Sequence, residues 1–371
     1  MRLEKITYSY EESGGRCWKL PEFVLKDINL LVGKNASGKS MSLNVIAAMH
    51  RMLKQKQLMI AGKWNLLFRD QDLIIRYELE LKDQKVVMER FHVDDECRFD
   101  RNAEGAGKIF AFKEDKLLDF QSPVDELAIF SRRDSIQHPY LEPLNEWVRN
   151  VRHYHFGDRL GKDRVIMVIK ENDTSVDPSD ENATSRILVD GIKKYSNRFV
   201  EMIINDMVSI GYKLTDVKLA ATPLFKESYL PGVPYLICVQ EEGLIGDTNQ
   251  IDMSNGMFRA LSIVIHLNYS LVSGIPSCLI IDDIGEGLDF ERSCNLIEVV
   301  MNKAKESSVQ LIMSTNDRFV MNKVPLEYWS VIRRKGHTSE IINKENSPEL
   351  FEDFKFTGLN NFDFFARYLE D

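Results

Sequence analysis

Residues 33–40 read Gly33-Lys34-Asn35-Ala36-Ser37-Gly38-Lys39-Ser40. Apolar runs precede them (Phe23-Val24-Leu25, Ile28-Asn29-Leu30-Leu31-Val32), and a Met-, Leu-, Ile- and Ala-rich helical pattern follows to about Leu53. Two glycines five positions apart between a strand and a helix let main-chain N–H groups wrap phosphate oxygens at the helix N-terminus. In that pattern Lys39 reaches the outer phosphates, and the Ser40 hydroxyl is placed to ligate Mg²⁺. Strand, loop and helix in this order are the setting that a phosphate loop requires.

A second block begins far downstream. Cys278-Leu279-Ile280-Ile281 and Gln310-Leu311-Ile312-Met313 are continuous apolar runs separated by a helical segment over 291–306. Such runs mark strands of a parallel sheet covered on both faces, so the fold class is α/β. The first run ends in Asp282-Asp283, and Asp282 at the strand tip suits the Mg²⁺ held by Ser40. The alternative is a pair of solvated acids capping the next helix. Lys39 and Asp282 lie about 240 residues apart, more than one compact phosphate-loop unit needs, so two lobes are expected to meet at one nucleotide.

Between the blocks, 73–81 and 86–93 read as an antiparallel hairpin joined by Lys82-Asp83-Gln84-Lys85. A helix is expected over 141–152 and others over 186–210, with a strand at Tyr235-Leu236-Ile237-Cys238-Val239. The Asp- and Ser-rich stretch 170–185 reads as a mobile loop. The expected organisation is an N-terminal lobe with an antiparallel β subdomain over 1–157 and a helical insertion over 158–232. A C-terminal lobe over 233–345 and an aromatic tail over 346–371 complete it.

Composition narrows the partners. A net charge of −9 over 371 residues argues against a surface that grips nucleic acid throughout. Local basic clusters at Arg132-Arg133, over 149–164 with His153, Tyr154 and His155 interleaved, and at Arg333-Arg334-Lys335 suit either a nucleic-acid contact or solvated faces. No apolar run approaches the roughly 20 residues of a membrane span, and the first residues lack the apolar core of a signal peptide. A cytoplasmic protein without a membrane partner is expected. Five cysteines without paired spacing predict neither disulfides nor a zinc site.

Taken together, these blocks resemble the ABC-type ATPase heads of the SMC, RecF and OLD-like families. Met253-Ser254-Asn255-Gly256-Met257-Phe258-Arg259-Ala260-Leu261 is similar to their signature loop. Gly287-Leu288-Asp289 is similar to their D-loop, and Ser314-Thr315-Asn316 falls where they carry a switch residue. The resemblance implies ATP and Mg²⁺ as cofactors, bound by residues 33–40 and Asp282. It also implies closure as a homodimer in which Ser254 and Gly256 touch the γ-phosphate held by the opposite protomer, with Asp289 crossing the interface.

Three positions depart from the family pattern. Asp283 stands where the family places its catalytic Glu, Asn316 where it places His, and Ile284 where Pro is common. Aspartate withdraws the water-orienting carboxylate by about 1 Å, which can cost roughly a hundredfold in rate, and Asn316 carries no proton. Slow hydrolysis is therefore expected, with Glu286 near enough in sequence to substitute as a base. Gln121 and Gln137 are the candidates for the family's lobe-linking glutamine, and Tyr8 or Tyr10 for an aromatic beside the adenine. Because the chain ends at Asp371, soon after the last motif, any nuclease under its control is expected on another polypeptide. The resemblance is to stand-alone ATPase subunits of bacterial anti-phage defence systems that control a separate toxin or nuclease. The alternative is a RecF- or SMC-like repair ATPase that clamps DNA itself.

Overall fold

Strands β1 (Arg2–Glu11) and β2 (Cys17–Val24) mix buried and half-exposed positions, whereas β3 (Ile28–Val32) is buried at every residue. The computed structural model describes residues 1–11, 15, 17–55, 58, 61–164, 166–168, 176–221, 233–273, 278–307, 309–355, 357 and 359–369. They form two units, Met1–Val151 with Pro325–Asp371, and Arg152–Val324. Among the described residues no helix is long and apolar enough to cross a membrane.

In the first unit, helix α1 (Lys39–Gln55) follows β3 and buries Leu43, Ile46, Ala47 and Met49. An antiparallel series comes next: β4 (Gly62–Asp70), β5 (Leu73–Lys82), β6 (Lys85–Val93), β7 (Glu96–Arg101), β8 (Ala106–Ala111) and β9 (Lys116–Gln121). The hairpin expected from residues 73–93 is β5 and β6, while β7 to β9 extend it through short strands whose sequence alternates too little to announce them. Helices α2 (Ala128–Ser131) and α3 (Glu142–Asn150) close this part, and His50 on α1 bonds the Val148 carbonyl at 2.7 Å.

A fully buried ion pair organises the antiparallel series. Glu89 on β6 lies 3.1 Å from Arg101 on β7, with no exposure of either side chain. Its carboxylate also accepts from Tyr77 and from the N–H groups of Ala128 and Ile129, which start α2. Arg101 donates to the Pro123 and Glu126 carbonyls. Buried charges persist only when every partner is in place, so Glu89→Ala should destabilise this unit by roughly 3–5 kcal/mol in urea unfolding.

The second unit contains β10 (Arg152–His155), β11 (Ile166–Val168), α4 (Thr184–Ile210), β12 (Leu214–Ala221), β13 (Val233–Glu241) and β14 (Asp247–Asn249). It continues with α5 (Asn255–Val272), β15 (Cys278–Asp282), α6 (Phe290–Glu306), β16 (Gln310–Thr315) and α7 (Arg318–Lys323). β15 and β16 pair in parallel, as the apolar runs predict, β10 joins them in parallel beside β15 without an apolar run to announce it, and β11, β13, β12 and β14 form an antiparallel sheet. Of the polar stretch 170–185, residues 170–175 lie outside the described residues. Residues 176–183 run through turns, with Asp177 and Asp180 capping local N–H groups, and Thr184 and Ser185 open α4.

Helix α5 is buried from Gly256 to Ser270 except at Arg259, the pattern of a helix enclosed all round. His266 lies within it, fully buried. Thr184 donates its hydroxyl to the Leu160 carbonyl at 3.0 Å and so accepts from Nε2–H of His266 at 3.3 Å, leaving Nδ1 to accept from Tyr154 at 3.1 Å. Burial pushes this imidazole down to about 3 from an ordinary value of 6.5. The unfolded chain takes up this proton below pH 6.5 and the native one only near 3, so stability is present above 6.5 and falls as pH drops through that window. His266→Gln should flatten the fall, as followed by urea midpoints at successive pH values.

The chain then returns to the first unit with β17 (Trp329–Lys335) and β18 (Thr338–Asn343), which form a hairpin. β17 pairs in parallel with β3, and β18 with β2. Strand order in this unit is β3-β17-β18-β2-β1-β4-β5-β6-β7-β8-β9. Helices α8 (Pro348–Lys355) and α9 (Asn361–Leu369) carry the aromatic C-terminal residues. Phe364 is buried against Trp329, Phe351 and Phe354, so these aromatics are core. Phe356 and Gly358 lie outside the described residues.

Candidate functional site

The turn from β3 to α1 is shaped from behind. A Cβ on Gly33 would sit 2.5 Å from the Ile332 carbonyl oxygen on β17, so only glycine lets the two main chains approach this closely. Gly38 has φ +107°, and a Cβ there would meet Ser339 Oγ at 2.5 Å. That hydroxyl accepts from the Trp18 indole at 2.9 Å and donates to the Ser37 carbonyl at 3.0 Å, pinning the loop to β2 and β18. Lys34, Asn35, Ala36 and Ser40 face solvent, while Lys39 is buried and donates to the Gly33 and Lys34 carbonyls at 2.8 and 3.3 Å. The concave glycine turn, the buried lysine at the first residue of α1 and the exposed Ser40 hydroxyl fit a Mg²⁺-nucleotide phosphate chain.

In the second unit, Asp282 is buried at the tip of β15. Ser314 on β16 donates its hydroxyl to Asp282 and accepts from the Asp283 N–H at 2.9 Å. Asp283 has φ +53°, and Asn316 donates to its carboxylate at 3.4 Å, so the two catalytic candidates lie together. The Glu286 carboxylate lies instead over Gly157, where a Cβ would come within 2.5 Å of it.

Ser254 caps α5, accepting from the Met257 N–H at 3.2 Å, and Asp289 caps α6, accepting from the Arg292 N–H at 3.0 Å. That main-chain bond, with the Arg292 guanidinium beside it, lowers the Asp289 carboxyl below its usual range. Gly256 sits directly beneath the second turn: a Cβ would meet the Gly287 carbonyl oxygen at 2.8 Å and Leu288 at 2.9 Å. Signature-like and D-loop-like residues therefore share one packed locus.

Several other candidates have different surroundings. Tyr8 is a core residue between Trp18 and Trp64, donating to the Ala61 carbonyl. The Gln121 and Gln137 amides donate to the Glu104 carbonyl and the Glu114 carboxylate. His155, in register with Asp282, is raised above its ordinary value by its hydrogen bond to Glu181. The ligand atoms of His155, Asp158 and Glu181 lie within 4.8 Å of one another, but Glu181 already accepts from both Nδ1 and the main-chain N–H of His155. Ser339 and Trp18 escape sequence reasoning because Ser339 meets the phosphate loop 302 positions away from Ser37, without a motif of its own.

Among solved structures, the chain is similar to an SMC head bound to the C-terminal winged-helix domain of ScpA. The TM-score is 0.53 at 12% identity, covering 94% of this chain and 100% of that one. The fold is that of an SMC head. An SMC head from Thermotoga maritima (16% identity, 92% and 99% covered, TM-score 0.45) also matches. So does an Smc head with an extended coiled coil bound to the C-terminal domain of ScpA derived from Pyrococcus furiosus (11%, 95% and 99%, 0.47). No family model and no curated protein matches the chain. The ABC-type α/β fold expected from the two sequence blocks is thus the observed one, antiparallel subdomain included.

Within this fold, Ser314 holds the Asp282 carboxylate from the neighbouring strand, the place an outer partner takes when a carboxylate ligates a metal. Ser314→Ala should lower Mg²⁺-dependent nucleotide turnover roughly 10- to 100-fold, while nucleotide binding in EDTA changes little in a fluorescence titration.

Proposed function

We propose that the chain binds Mg-ATP through residues 33–40, with Ser40 and Asp282 as Mg²⁺ ligands, and hydrolyses it slowly while closing as a homodimer. The observation that carries this reading is the β3–α1 loop, whose two glycines leave no room for a side chain and whose Lys39 opens α1. Bound Mg²⁺ would neutralise phosphate charge. The protein's own contribution is to hold the phosphates by main-chain N–H groups and Lys39, and to aim a carboxylate at water.

That carboxylate is Asp283. Its backbone sits in the left-handed region, its side chain is short, and its hydrogen-bonding neighbour Asn316 offers a donor that cannot shuttle protons. These features support slow turnover. Ser254 and Gly256 on the α5 N-terminus are the proposed trans contacts to γ-phosphate, with Asp289 at the interface.

We further propose that closure controls a separate effector, a toxin or nuclease in anti-phage defence, in the cytoplasm. A partner protein is supported by the SMC head captured with a domain of ScpA, and the defence role by the resemblance of the motifs. A direct DNA clamp is the second reading, favoured by the exposed Arg159 and Arg164. Both arginines are paired with Asp163 and Asp180, which weakens the field they present. The clamp requires DNA-stimulated hydrolysis and steeply salt-dependent binding.

Light scattering of wild type and Lys39→Ala, with and without Mg-ATP, tests the central claim: mass should double only with ATP and only with Lys39. An ATP-independent mass would refute ATP-gated closure. Asp283→Glu should raise phosphate release about tenfold or more, since a misplacement near 1 Å can cost roughly a hundredfold.

A further inference from the structure

The turn after β10 has no assigned role, yet the signature-like and D-loop-like residues both lean on it. Arg259, the one residue of α5 between Gly256 and Ser270 that is not buried, donates through Nε to the Asp158 carbonyl at 3.0 Å and through Nη2 to the Gly157 carbonyl. Through Nη1 it also reaches the Glu286 carbonyl at 3.0 Å, in the turn that leads to Gly287. Lys162 makes the reverse connection, donating to the Met253 carbonyl at 2.5 Å and to Asn255 Oδ1 at 2.9 Å, on either side of Ser254.

The turn itself is fixed from behind. Gln250, fully buried, donates to the Lys162 and Arg164 carbonyls at 2.8 and 2.9 Å and accepts from the Ile237 N–H on β13. Thr184 at the start of α4 holds the Leu160 carbonyl, and a Cβ on Gly161 would meet the Asn182 carbonyl oxygen at 2.3 Å. Residues 157–162 thus form a rigid platform anchored in the sheet and on α4, and two cations reach across its edge in opposite directions.

We propose that Lys162 and Arg259 are positioning residues, a clasp that locks residues 157–162, 253–259 and 285–289 into one body and so sets the position from which Ser254 and Gly256 meet a nucleotide on a second copy of this chain. The inference rests on the proposed trans contact. In this role neither cation is a ligand of nucleotide: Lys162 bonds Met253 and Asn255, which flank Ser254, and Arg259 ties α5 to Gly157, Asp158 and Glu286. Lys162 is the better probe because it is half-exposed, so its loss opens no core.

Two readouts separate the clasp from the reading beneath it. In nucleotide-free protein, Lys162→Met should speed amide hydrogen exchange at 253–259 and leave the thermal midpoint close to wild type. With Mg-ATP, half-maximal dimerisation of Lys162→Met should need at least tenfold more ATP than wild type, while the ATP affinity of dilute monomer stays unchanged. Lys162→Arg, which keeps donors for both acceptors, should recover most of the closure. Exchange and closure both equal to wild type in Lys162→Met would overturn the clasp. Faster exchange with normal closure would overturn its role in positioning. Faster exchange in a protein whose wild type never dimerises would uphold the clasp and overturn the ATP-gated dimer.

Discussion

A loop proposed to hold phosphate through its N–H groups must keep them available on one side, so its shape has to be enforced from the other, and in this protein one hydroxyl is central to that enforcement. Ser339 takes the Trp18 indole proton and gives its own to the Ser37 carbonyl, which couples β2, β18 and the loop in a single buried relay. The close approach of Gly33 to Ile332 extends the same constraint to β17. The strand order β3-β17-β18-β2 is therefore the scaffold that gives residues 33–40 one conformation.

In the second unit, two adjacent carboxylates at the tip of β15 are given different surroundings. Asp282 is buried and receives the Ser314 hydroxyl proton, whereas Asp283 turns through a positive φ toward Asn316. One serine on the neighbouring parallel strand serves both, bonding the first side chain and the second main chain. The register of β15 on β16, with Ile281 beside Met313, makes this possible.

Legibility in the sequence followed the range of the interactions. Residues 33–40, the strands around Asp282 and the β5–β6 hairpin are set by neighbours in the chain, and their patterns announced them. Ser254 and Asp289 are singled out by motif, and the structure adds that they cap α5 and α6 and that Gly256 packs against Gly287. What the sequence could not show depends on distant partners: Ser339 behind the loop, Lys162 across 91 positions to Met253, and the Glu89–Arg101 pair inside short strands. Among the aromatic C-terminal residues, it is packing on the distant Trp329 that makes Phe364 core, a contact the sequence does not announce.

The ammonium of Lys39 is already bonded to the Gly33 and Lys34 carbonyls. The loop therefore satisfies its own cation from within, and a phosphate that bound in the proposed way would have to displace two charge-assisted bonds. A cation held like this stabilises the fold of its loop, and its net attraction for an anion is reduced by the strength of the bonds it would give up.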